Sequence, residues 1–175
     1  MWNVPATSLT MGGLLVGLAI PVWHVTRFGG AHIKNHKAIL KNSTELVPLA
    51  AGMAYGSLAT ATTSGLIGAF TGAITFLGNG AGSFAMWGLT GGTTTLNTRA
   101  NPLELDGAGN IVLLLITVAV IAAWKPIPQE ARARMRVGMV SGILLGLSAT
   151  LGGVVAATII PAVNNAGAAL VDAIN

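Results

Sequence analysis

The chain contains no cysteine. That excludes structural disulfides, thiolate metal sites and cysteine nucleophiles. Charge is also scarce: Asp, Glu, Lys and Arg make up 8% of the 175 residues, against roughly 25% in an ordinary soluble domain. A soluble protein of this length needs far more polar surface. A very apolar shell protein, such as a viral coat subunit, is the soluble alternative. The apolar segments favour an integral membrane protein instead.

Reactive groups are equally thin. No ionisable side chain falls inside an expected span except His24, at the edge of the first. Proton relays, coupled transport and voltage sensing normally need such groups at depth. Neither a nucleophile with a His or Lys base nor a pair of aspartates falls within the spans. The glycine loop at 78–83 lacks the lysine and spacing of a phosphate cradle. His32 and His36 stand four apart, but their nearest further ligands, His24 and Glu45, have no recognisable metal spacing. No enzyme activity, cofactor or metal is therefore expected.

Apolar sequence is abundant: 53% of residues are hydrophobic and 24 are glycine. Four spans are expected, at about 9–25, 46–64, 108–124 and 137–160, in a single all-α membrane domain. The first lacks a positive n-region and is followed by its basic residues, which suits an uncleaved anchor better than a secretory signal. Basic segments at 26–43 and 125–136 hold eight of the nine Lys and Arg residues and are expected in the cytoplasm.

That assignment fixes the parity of the uncharged run from Leu46 to Thr98, 53 residues long. It must begin inside and end outside. Three crossings need about 51 residues plus turns, so it crosses once. The glycine-rich segment 65–92 is left to re-enter or to lie on the outer surface, with a break expected at 78–83. Both termini then face outside. The alternative has two crossings here and five spans, at the expense of one violation of the charge rule.

Glycines recur at four-residue steps: Gly13 and Gly17, Gly52 and Gly56, Gly68 and Gly72, and the triplet Gly138, Gly142 and Gly146. Such faces let membrane helices approach closely. With so few spans to bury them, a homo-oligomer is expected. Lys34, Lys37 and Lys41 would share one face of a short amphipathic helix, and together with Arg132, Arg134 and Arg136 they are expected among anionic headgroups. No aromatic residues interleave with these lysines, so direct nucleic-acid binding is not expected. Thr60, Thr62, Thr63, Ser64, Thr71 and Thr75 are expected to bond to their own backbone rather than to line a lumen.

Residues 110–160, an apolar helix, a short basic turn and a glycine-rich apolar helix, loosely resemble the pilin subunits of conjugation and type IV secretion machines. The extra N-terminal spans depart from that pattern. The resemblance implies a structural assembly. The expected function is thus a non-enzymatic structural subunit of an oligomeric membrane complex: a pore, a secretion or DNA-transfer complex, or a phage or mobile-element membrane protein. Its partners would be the bilayer, further copies and other subunits. The alternative is a small transporter or channel using segment 65–92.

Overall fold

The computed structural model describes residues 9–32, 42–62, 64–93, 104–148 and 151–174. Their regular elements are helices: α1 (Met11–His32), a 3-10 turn (Ser43–Leu46), α2 (Val47–Ala59), α3 (Gly65–Thr90), α4 (Gly107–Ala123), α5 (Gln129–Gly146) and α6 (Leu151–Ile174). Local chemistry sets several boundaries. Pro48 lies in the first turn of α2, where its missing N–H deprives no carbonyl of a partner. Asp106 caps α4, its carboxylate accepting from the Gly109 amide at 2.6 Å. Gly65 and Gly91, with φ of 73° and 66°, bracket α3 in the left-handed region, and the Gly91 amide closes onto the Trp87 carbonyl at 3.0 Å.

The most extensive helix contact joins α2 to α5, which run parallel. A Cβ added at Gly138 or Gly142 would overlap the carbonyl of Leu49 or Met53, and one at Gly146 would stand 2.9 Å from the Cα of Ser57. In return, Gly52 and Gly56 lie against the carbonyls of Met135 and Met139. The two backbones touch, and Ser57 Oγ adds a hydrogen bond to the Gly142 carbonyl at 3.1 Å. Gly12 of α1 meets the backbone of Gly82 on α3, and Gly13 meets Asn79. On α4, Gly109 faces Asn164 of α6, whose Gly167 lies on the backbone of Ala108.

One polar bond repairs a defect in α1. Pro21 lies inside that helix, so the Gly17 carbonyl, four residues earlier, has no amide to accept from. Ser141 of α5 donates its hydroxyl to that carbonyl at 2.7 Å, fully buried. A helix carrying an internal proline stays satisfied because a neighbouring helix supplies the missing donor. Leu144 and Leu145 pack beside it with Leu9 and Leu14. A second apolar cluster joins Leu58, Leu105, Leu113, Ala156 and Ile160.

Four expectations need correction. No break occurs at 78–83: α3 is one helix from Gly65 to Thr90, and Gly78 and Gly82 sit where Leu144 and the backbone of Gly12 press against it rather than where the chain turns. The crossing expected at 46–64 is a 13-residue helix, α2, about 20 Å long and shorter than a span. The single span expected at 137–160 is divided. Its first part belongs to α5, which ends at Gly146, where Ser148 folds its hydroxyl back onto the Leu145 carbonyl at 2.7 Å. Its last part belongs to α6, which passes through Pro161 and continues to Ile174. Described parts of the basic segments are helical as well: α1 continues to His32, and Arg132, Arg134 and Arg136 lie on α5. Lys34, Lys37, Lys41 and His36 lie outside the described residues.

Among the described residues, two helices are long and apolar enough to cross a membrane, over Met11–Ala31 and Val154–Ile174, while the apolar helix Gly107–Ala123 is shorter.

Candidate functional site

The long uncharged helix α3 has the reverse of a soluble helix's polarity. Its buried stripe is Gly68, Thr71, Gly72, Thr75, Gly78 and Gly82, with both threonines 3% exposed. Each bonds to its own helix, Thr71 to the Gly68 carbonyl at 3.0 Å and Thr75 to the Thr71 carbonyl at 2.8 Å. Thr60 and Thr62 likewise bond back, to the Ser57 and Ala59 carbonyls; Thr63 lies outside the described residues. The outward face carries Leu66, Phe76, Leu77, Phe84 and Trp87, exposed by 66 to 88%. Small and polar groups are therefore inside, and large apolar groups are outside.

The described residues of the two basic segments converge at one end of the bundle. Arg27 and His24 of α1 share a pocket of about 440 Å³ with Glu45, Glu130 and Arg134. Arg134 donates to the Glu45 carbonyl at 2.8 Å and to its carboxylate at 3.3 Å. This ion pair is largely solvated, its side chains 31% and 44% exposed, so it contributes little to stability. His24 Nδ1 lies 3.0 Å from the Ile20 carbonyl of its own helix. Among the described residues, no three His, Asp or Glu side chains group as a metal site. Arg136 lies over the Trp124 ring at 5.2 Å, a cation–π contact. The Nε of Arg132 is buried without a hydrogen-bond partner.

A second cavity opens sideways. This groove of about 700 Å³ has Leu66, Ile67 and Phe70 of α3 on one wall and Thr117, Val120 and Ile121 of α4 on the other. Tyr55, Ala59, Met139 and Ile143 complete it, with Trp124 and Lys125 also lining it. Two of its lining residues, Tyr55 and Thr117, are joined hydroxyl to hydroxyl at 2.9 Å. Neither cavity was legible in the sequence, because their walls come from segments as far apart as residues 55 and 143.

Most of the glycines singled out by spacing sit in helix contacts. Gly52, Gly56, Gly138, Gly142 and Gly146 form one interface, Gly13 meets Asn79, and Gly17 meets Leu144 and Leu145. Gly68 and Gly72 are buried. These faces are used within one chain, so they supply no argument for a second copy. Asn79, which the spacing did not single out, anchors the start of α1 by accepting from the Thr10 amide at 2.9 Å and the Thr10 hydroxyl at 3.1 Å. Compared with known protein families, curated proteins and solved structures, the chain matches none of them.

Proposed function

We propose that this protein is a non-enzymatic, multi-pass integral membrane component that serves a structural role, in contact with lipid and with other subunits of a membrane assembly. The inverted polarity of α3 carries the reading. An aqueous surface bearing Leu66, Phe76, Leu77, Phe84 and Trp87 would be an aggregation hazard, whereas hydrocarbon solvates those side chains. An interior of glycine and hydroxyl groups suits helices held by close approach.

The shared location of Arg27, Lys125, Arg134 and Arg136 supports a cytoplasmic side at that end, which leaves the start of α1 outside. Asn164 of α6 lies beside Asp106, at the opposite end of α4 from Lys125, and supports a C-terminus outside as well. With the glycine faces occupied and the outward face of α3 given to lipid, contact with further copies falls to exposed apolar residues elsewhere, among them Leu114, Leu115 and Val118 of α4. Alkaline extraction of membranes, followed by the mass of the detergent-solubilised particle, tests this. Retention in the pellet and a particle heavier than one chain are expected. Release into the supernatant would refute the membrane reading, and a strict monomer that conducts solute would favour a small transporter.

A further inference from the structure

The lateral groove has chemistry that the structural role does not use. Its walls are apolar along α3 and α4, and its volume, about 700 Å³, lies within the range of small-ligand sites. Its charge is one-sided. Lys125 lines it, and the stacked Arg136 sits on Trp124, another lining residue. Arg132, Arg136, Met139 and Ile143 follow one another along a single face of α5, at steps of four, three and four residues. The helix face that supplies the groove's apolar floor thus becomes basic at the Lys125 end. No acidic side chain is among the described residues lining the groove.

We infer that the groove binds one anionic glycerophospholipid. An acyl chain lies between α3 and α4, and the phosphate meets Lys125 and Arg136. An apolar slot ending in cations matches a molecule with a long hydrocarbon tail and a charged head, and basic pockets between membrane helices recognise such headgroups. Trp124, with Arg136 on its ring, stands at the junction of the two halves. A zwitterionic lipid would fill the slot equally well but would bring a compensating positive charge to the cations. The inference rests on the membrane reading above and adds a binding preference to it.

The test uses the full chain with Trp124 as its sole tryptophan, the other three replaced by phenylalanine, reconstituted in vesicles. Trp124 fluorescence is quenched by brominated phosphatidylglycerol or by brominated phosphatidylcholine with the same chains. The expected result is preferential quenching by the anionic lipid, on the order of fivefold in apparent affinity for each cation engaged. The preference should fall toward unity in Lys125→Gln and Arg136→Gln. It should also fall in Val120→Trp, read by bound-lipid analysis because that variant carries a second tryptophan; this substitution fills the slot and leaves both cations in place.

Equal quenching by the two lipids in the parent protein would overturn the inference while leaving the membrane reading intact. A preference that survives Val120→Trp would also overturn it, since headgroups would then be gathering on the basic end without entering the groove. If Val120→Trp instead lowers the particle mass and no headgroup preference exists, a second copy occupies the groove and the lipid assignment fails. Absence of quenching by either lipid would defeat the membrane reading and the inference together.

Discussion

Gly142→Ala tests the α2–α5 contact with the smallest available change. The new methyl group would overlap the Met53 carbonyl, with the carbonyl carbon and Cα of Met53 each 2.7 Å away. Those neighbours are backbone, so no side chain can swing aside, and the helices must separate. Overpacking of this kind costs about 1–3 kcal/mol. Separation also stretches the Ser57–Gly142 hydrogen bond, worth about 1 kcal/mol. Against this, alanine gains about 1 kcal/mol over glycine in a helix interior.

Gly80→Ala isolates that last contribution, because Gly80 lies inside α3 with nothing within 4 Å of its added methyl. The difference between the two variants is therefore about 2–4 kcal/mol, the sum of the overpacking and hydrogen-bond terms. Thermal unfolding in mild detergent, with all proteins at one concentration, measures it. Below the transition the particle mass should not change, since the contact lies within one chain. Equal midpoints for Gly142→Ala and Gly80→Ala would refute the packing of α2 on α5. A change in mass without a change in midpoint would place that glycine face between chains.

Ser141→Ala should destabilise the protein by about 1–3 kcal/mol, the cost of leaving a buried carbonyl unpaired, and most of that cost should disappear in a Pro21→Ala background, where residue 21 regains its N–H; a double-mutant cycle with no coupling would sink the repair argument. Asp106→Ala removes the cap of α4 and should cost about 1 kcal/mol, seen as faster amide exchange at Gly109. Arg134→Gln should change unfolding by less than about 1 kcal/mol because its pair with Glu45 is solvated, and a larger loss would show that the pair is more shielded than its exposure implies.

What the sequence revealed and what it concealed follow from the nature of each signal. The helix at 107–123 was legible almost to the residue, since an uncharged stretch dominated by Leu, Ile, Val and Ala between Asp106 and Lys125 admits little else. The glycine spacings were equally readable, because a four-residue step places residues on one helical face whatever that face meets. Which face meets which was not. Gly142 and Met53 are 89 positions apart, and nothing local distinguishes a contact within the chain from one between copies.

The segment 78–83 was misread for a related reason. Glycine signals a turn when the chain is free to bend, but Gly78 and Gly82 are where α3 admits Leu144 and the backbone of Gly12. The roles of Ser141 and Asn79 were hidden for the same cause. Each matters only because a distant carbonyl or amide lacks its usual partner.

The central claim is that the large apolar face of α3 is solvated by hydrocarbon. Because the native chain has no cysteine, single spin labels can be attached through Phe76→Cys, Leu77→Cys and Phe84→Cys in otherwise unaltered protein. Power-saturation measurements in reconstituted vesicles then compare collisions with oxygen, which concentrates in hydrocarbon, against collisions with a water-soluble nickel chelate. The account predicts oxygen-dominated relaxation at all three positions. Nickel-dominated relaxation there would mean that α3 presents its leucine and phenylalanine side chains to water, contradicting the reading of this protein as a membrane-embedded structure.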